Sequence, residues 1–479
     1  MPKSLQYNAH TGIFRLERTG DYYSFIQTAT SVKMEKANTF KLEDNLRNSS
    51  YPLAVLRHSF GKKKGEIEDY ALSPDYHKAS DRDRELSVAL NSDNTLKNLD
   101  YRGLNIPIGK NSYYHVVGPI HAGVIEPGHF RFYVTGEMIQ FLHIRLGFQR
   151  RGINELMRNR TALQAMPLAE SIATDSTISY STAFADIFEQ AAGIKVTDET
   201  KLLRMVLLEI ERVAIHIGDM GAMAGDIGYY PLLGVCSTDR GIPLGVMESL
   251  VGSRFGKGSI FPGEVRLNRD FTKQDLIQLA ENLKGAFSRI EKQILRAFKS
   301  STIRERLHDC GTLSRNQVFR NGFIGMAARC TGISQDLRLS EELYIKTGMT
   351  LWLEEHREEL VGDAWARFYL RYAELKNSCE WLIKILPTLD IPKVSKGSFI
   401  IQKKKKFKPG VYYSSIEGWR GPVLVALDIS AEGKILQSYI RDSSVLNWHA
   451  LELAVREELI GDFPLNNKSF NLSYLGVDL

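Results

Sequence analysis

Between residues 199 and 219, apolar side chains recur every three or four positions: Leu203, Val206, Leu207, Ile210, Val213, Ala214 and Ile217. That is the period of an α-helix with one apolar face. A stripe of this length must be covered by other elements, so the segment predicts the centre of a helical bundle. Thr197 or Asp198 is placed to cap its start. Residues 177–192, 273–298 and 365–385 share the period and predict three more long helices.

Other segments alternate instead. Tyr113, His115 and Val117, then Phe130, Phe132 and Val134, have the two-residue period of strands, with Gly118-Pro119 and Pro127-Gly128 as turn signals. They predict a small antiparallel sheet carrying the loop 121–129. VLVALDI and ILQSYI flank Glu432-Gly433 and predict a second hairpin, followed by a helix over 447–458. The fold class is therefore α+β, a mainly helical bundle core with small antiparallel sheets. Residues 1–110 are polar, with strand-like patches at 22–27 and 53–60, a loop tip at the lysines 62–64 and a charge cluster at 81–85. They predict a small N-terminal α/β region, with residues 111–479 as the main domain. The lysines at 403–406 read as a solvated loop, with contact to lipid headgroups or an acidic neighbour as the alternative.

Composition narrows the class. Apolar residues make up 43% of the 479 and charged residues 25%, which excludes a disordered chain and an integral membrane one. No run of about 18 apolar residues occurs, so no spanning helix is expected. The start, MPKSLQYNAHTG, has no apolar core behind its basic residues and predicts no secretory signal. The net charge of +6 permits an acidic partner without demanding one, and no nucleic acid is expected. Cys236, Cys310, Cys330 and Cys379 are at least 20 residues apart, which is neither a metal spacing nor a disulfide framework. Reduced, mostly buried thiols are expected.

From Gly118 onward the motifs GPIHAGVIEPGHFRF, RLGFQRRGINELM, LEIERVAIHIGDMGAMAGDIG, GSRFGKGSIFPGEV, GFIGMAARCTGISQDLR, EGWRGPV, IRDSSVLNWHALELAV and DFPLNNKSFNLSYLGVDL follow in order. Together they resemble the large subunits of energy-converting nickel–iron hydrogenases, such as that of formate hydrogenlyase. They also resemble the related quinone-module large subunit of respiratory complex I, a member of the NADH dehydrogenase family. The resemblance covers about three quarters of the chain and implies a hydrogenase-large-subunit-like fold.

The resemblance also implies a loss. Where the hydrogenases carry four metal-binding cysteines, this chain has Ala173, Ser176, Ser473 and Gly476. Neither alanine nor glycine offers a metal a side-chain ligand. Tyr180 stands for a family histidine, and Asn154 for the glutamate that accepts the proton. Asparagine takes no proton near neutral pH, and Glu155, one place along, would point elsewhere. Hydrogenase activity is expected to be absent.

From the complex I side, His129 and Asp226 match a histidine and an acidic residue of the quinone cavity. In contact they would form a proton-accepting pair, the carboxylate raising the imidazole pKa. The quinone-bonding tyrosine falls at Glu170, an acceptor where a donor is needed. Arg329 would face the emptied cavity, or serve as a structural ion pair. His216 and Asp219, three apart, share a helix face. Residues 256–263 lack Gly-Lys-Ser/Thr and form no phosphate loop.

The resemblance implies a subunit without a nickel–iron site in a membrane-associated, complex-I-like complex, coupling redox or proton changes to ion transport (proton translocation in the parent systems). Alternatives are an active quinone-reducing oxidoreductase subunit of an electron-transport chain, which needs an iron–sulfur partner, or a purely structural scaffold of an ion transporter. The chain itself is expected to bind no cofactor, with a quinone in a cavity shared with that partner. Expected partners in a hetero-oligomeric complex are a small iron–sulfur-type subunit and ion-pumping membrane subunits. The expected location is peripheral, on the cytoplasmic side of the inner membrane.

Overall fold

The computed structural model describes residues 8–16, 19, 22–37, 111–121, 123, 125–351, 359–391, 401 and 406–479. The expected strand at 53–60, the loop tip at 62–64, the charge cluster at 81–85 and the lysines 403–405 lie outside the described residues.

The eight helices that build the site are α1 (Ala162–Ala169), α2 (Thr177–Ala192), α3 (Asp198–Asp226), α4 (Lys273–Phe298), α5 (Met326–Arg329), α6 (Ala364–Ile385), α7 (Ser443–Ala454) and α8 (Phe463–Phe470). Helix α3 is the central one, as its apolar stripe predicts. The Thr197 hydroxyl caps it, accepting from the Thr200 N–H at 3.2 Å. It runs seven residues past the expected end at 219, through Gly221 and Gly225. Glycine weakens a helix interior, but these face a close neighbour. A Cβ on Gly221 would stand 2.6 Å from that of Cys236. Packing of the helix Tyr230–Asp239 against this face decides the length of α3.

Helices α4 and α6 close the bundle around α3. Asp363 caps α6, accepting from Ala366 N–H at 2.7 Å. The interface of α3 with α6 carries charge at matched spacing. His216 meets Glu374 at 2.9 Å, and Asp219 meets Arg371 at 3.0 Å, so an i, i+3 pair on one helix faces an i, i+3 pair on the other.

Two sheets flank the bundle. Strands β4 (Ser112–Val117), β5 (His129–Thr135) and β6 (Met138–Arg145) form one antiparallel sheet, with β5 in the middle. It packs on α7 and the C-terminal tail. Strands β9 (Gly410–Glu417), β10 (Pro422–Ile429) and β11 (Ile435–Arg441) form the other, with β10 central. All eight residues of β10 are buried. Val423, Val425, Leu427 and Ile429 pack in the cluster of α2. Leu424 and Ala426 meet Phe25 on the opposite face. A strand covered on both faces loses the apolar–polar alternation, which is why VLVAL reads as a run.

Phe25 belongs to a third sheet, β1 (Asn8–Arg15), β2 (Tyr22–Thr28) and β3 (Val32–Ala37), order β1-β2-β3. Phe25 stacks on Tyr439 at 5.4 Å, and the Asp336 N–H donates to Ala29 O at 2.8 Å. The described part of the N-terminal region thus packs directly on the main domain. A two-stranded ribbon, β7 (Ile260–Phe261) with β8 (Glu264–Val265), completes the strands described. Helix α7 starts at Ser443, four residues before the expected 447, because Asp442 caps it, accepting from Ser444 N–H at 2.8 Å. All four cysteines are buried and free. Among the described residues, no helix is long and apolar enough to cross a membrane.

Candidate functional site

Ala173 and Ser176 sit in the turn between α1 and α2, and Ser473 and Gly476 in the tail after α8. Three sets of side-chain contacts lock these two segments together. The first is Arg151, whose guanidinium donates to Ile172 O at 2.8 Å, to Leu475 O at 2.9 Å and to Ser171 O.

The second is Arg420. It grips both Asp175 oxygens, at 2.9 and 2.6 Å, donates to Asn471 O at 2.6 Å, and lies 3.9 Å over the Trp419 ring. Burial works against its charge, but Asp175, with Asp442 and Asp219 behind it, more than offsets this and raises its pKa. Asn471 continues the chain to Asp219 at 2.6 Å, and Asp219 to Arg371. Arg420 reaches this place because the backbone beside it closes on α5. Gly421 and Gly325 both have positive φ (+138° and +60°), and a Cβ on Gly421 would lie 2.6 Å from the Gly325 Cα. Only glycine permits that approach.

The third is the Tyr180–Asp442 pair. The buried Tyr180 hydroxyl donates to Asp442 at 2.6 Å. Asp442 occupies the space beside Gly476: a Cβ there would meet its Cγ, Oδ2 and Cβ at 2.7, 2.8 and 2.9 Å. Ser473 completes the packing, its hydroxyl accepting from Gly476 N–H and its carbonyl from Trp448. A carboxylate therefore fills the room that a ligand at 476 would need. The residues present do not fit a nickel–iron pair. No thiol stands at the four positions, and among the described residues no group of three His, Cys, Asp or Glu is arranged to hold a metal ion.

The other sequence-predicted residues sit on different elements. His129 opens β5, buried, in register with Arg145. Burial, then the charges of Arg131 and Arg145, lower its pKa. Asp226 ends α3. Burial raises its pKa against the opposing Lys468. Asp226 is not among the described charges that shift His129, which are those two arginines.

Glu170 caps α1, and its Oε1 accepts from Gly258 N–H at 2.8 Å. It seats the glycine-bearing loop 256–263, which serves packing: a Cβ on Gly256 would meet Ile178 at 2.3 Å. Burial raises the Glu170 pKa, opposed by the Gly258 N–H and Lys257. Asn154 accepts from the Ser438 hydroxyl at 2.9 Å, while Glu155 pairs with Arg150 at the surface.

Arg329 is fully buried in a structural ion cluster, donating to Glu374 at 2.8 Å and to Glu417 at 2.6 Å. The arginine that clamps the segment of Ala173 and Ser176 through Asp175 is Arg420. Sequence reasoning missed it, along with Asp175 and Asp442. Adjacency of Asp175 to Ser176 and of Arg420 to Trp419 was the available signal, and nothing in one dimension pairs residues 245 apart.

The respiratory-chain NADH dehydrogenase 49 Kd subunit family matches residues 226–410. The alpha subunit of the membrane-bound hydrogenase of Pyrococcus furiosus is 28% identical over 317 residues, 64% of this chain and 73% of that protein. An NADH-quinone oxidoreductase subunit of Thermosipho melanesiensis is 28% identical over 316 residues, covering 64% and 84%. A chain of the membrane-bound sulfane sulfur reductase, an archaeal respiratory membrane complex, superposes with a TM-score of 0.68 at 21% identity. The match covers 78% of this chain and all of that one. On fold and sequence together, this chain is similar to the large subunits of energy-converting membrane-bound hydrogenases and of respiratory NADH dehydrogenases.

Proposed function

We propose that the chain is the non-hydrogenase large subunit of a membrane-associated, complex-I-like complex that couples redox or proton changes to ion transport. The observation that carries this is the Tyr180–Asp442 pair beneath Gly476, with the Arg420–Asp175 clamp beside it. Where the hydrogenases bind metal, this chain has a rigid polar joint between α2, α7 and the tail. A joint of directed, buried hydrogen bonds transmits displacement between the elements it ties. In this reading a small partner of the iron–sulfur type sits beside the joint. Ion-pumping membrane subunits lie beyond it, and the chain is peripheral on the cytoplasmic side of the inner membrane. It binds no cofactor itself.

The test is the iron, nickel and quinone content of the complex, purified from membranes through a tag on this chain. Iron without nickel, with membrane subunits co-purifying, is the expected result. Stoichiometric nickel on this chain, or its recovery as a free monomer from membranes, would overturn the proposal.

Quinone reduction in a cavity shared with the iron–sulfur partner is a second reading. Its support is the protonation pattern: His129 is held towards the neutral imidazole and the Asp226 carboxyl is raised. A neutral acceptor and a raised acid suit proton handling. Glu170, committed to Gly258, offers such a substrate no donor. Bound quinone in the same preparation would favour this reading, and its absence would leave conformational coupling alone.

A further inference from the structure

Behind the joint, the interior of the bundle holds one connected ion cluster. Glu209, Asp336, Glu374 and Glu417 are its carboxylates, and Arg212, Arg329 and Arg338 its guanidiniums, every side chain at most 5% exposed. Four carboxylates against three guanidiniums leave one negative charge unmatched among the described residues. An unmatched buried charge is costly, and binding a proton is the usual relief. His216, bonded to Glu374, does not carry that proton. Burial lowers its pKa, and its buried Nδ1 has no hydrogen-bond partner among the described residues, where an imidazolium would have to donate.

The hydrogen bonds single out one carboxylate. Glu209 accepts from Arg212, Arg338, Tyr344 and Ser378. Glu374 accepts from Arg329, Arg212 and His216. Asp336 takes two guanidinium nitrogens and the backbone N–H of Arg338. Among the described residues, Glu417 accepts from only one Arg329 nitrogen and the Leu337 N–H. It is also the carboxylate of the cluster that reaches a cleft of about 630 Å³. The cleft runs from the buried Arg204 of α3 and the half-buried Asp186 of α2 out to exposed Lys201 and Glu341. Thr182, one turn before Asp186, turns a buried hydroxyl without a described partner to the same wall, a place for ordered water.

We propose that this cluster stores one exchangeable proton, held on Glu417 and reached from solvent through the cleft. The proton comes from water and returns to it, and no bond other than the carboxyl O–H is made or broken. The groups facing Glu417 are Arg329 from α5, Asp336 capping the turn Leu337–Ser340 and Arg338 within it, and Arg212 from α3. Burial first, then the Asp336 charge, push its carboxyl up to about 7 against these arginines. Glu417 lies three residues before Arg420. Loading and unloading it changes the charge that Arg329 sees, at the base of the segment that clamps the emptied centre. This storage site is separate from His129 and Asp226, and its test does not depend on which complex the chain serves.

The experiment is difference infrared spectroscopy of the full chain, titrated from about pH 5 to about pH 9. A protonated-carboxyl component that disappears near neutral pH is expected in the wild type and absent in Glu417→Gln. Asp186 and Glu211, raised to about 7 and about 8, give components of their own, so the assignment rests on the difference between the two proteins. A wild type without such a component, or a Glu417→Gln spectrum that loses none, would overturn the proposal. Should Glu417→Gln not fold, Glu417→Asp keeps the carboxyl but withdraws it by one methylene. A shifted midpoint supports the assignment, and an unshifted one refutes it.

Discussion

Gly476→Ala is the sharpest perturbation of the joint, because its sign reverses with one neighbour. Gly476 does not occupy the left-handed region, so alanine brings no backbone strain. By itself the substitution stabilises, by about 0.5 kcal/mol, because it restricts the unfolded chain. Against this, the new methyl meets three atoms of Asp442 at 2.7 to 2.9 Å. Asp442 has little room to retreat. It is 1% exposed, held by Tyr180 at 2.6 Å, and committed to Ser444 N–H at 2.8 Å. Overpacking of this kind costs about 2 kcal/mol. The net expectation is a loss of about 1.5 kcal/mol.

Asp442→Gly removes all three contacted atoms while keeping a residue acceptable at a helix cap. It has its own cost, since Tyr180 loses its acceptor. In that background Gly476→Ala should become neutral or stabilising, a coupling of about 2 kcal/mol. Urea denaturation of the four proteins of the cycle measures it. Equal costs of Gly476→Ala in both backgrounds would refute the claim that Asp442 fills the ligand position.

The ion cluster predicts a pH signature. The folded-state pKa of Glu417 is raised from 4.5 to about 7, so its contribution to stability is fully present below about pH 4.5 and is lost as pH rises through 7. Glu417→Gln should flatten that part of the stability profile, and an unchanged slope in urea titrations would count against it. Glu374 is held well below its ordinary value, its burial outweighed by Arg329, His216 and Arg212. Glu374→Gln should therefore cost about 3 kcal/mol or more at neutral pH, and the variant unfolding at the wild-type urea midpoint would be inconsistent with the network. His129→Ala and Asp226→Asn should each abolish coupled transport in membrane vesicles while the complex still assembles. Wild-type transport in both would remove these residues from the mechanism.

Local pattern carried much of the fold. The helices at Thr177–Ala192 and Lys273–Phe298 begin and end where their periodicity says: the second buries one stripe behind its Thr272 cap, while the first is buried almost all round and stops at the left-handed Gly193. The run VLVAL reads as a strand because both its faces are covered. That positions 173, 176, 473 and 476 carry no thiol is legible residue by residue. Tertiary structure decided what packs around them. Asp442 and Tyr180 are 262 residues apart, and Arg420 and Asp175 are 245 apart. Nothing in either segment states its partner. Arg329 and Arg420 are the same residue type in similar glycine-bearing motifs, yet one is absorbed by three carboxylates of the bundle and the other clamps the emptied centre. A guanidinium goes to whichever carboxylates the packed chain leaves within reach in a dry interior. That selection belongs to the assembled core, where desolvation makes each pairing decisive, and not to the order of residues along the chain.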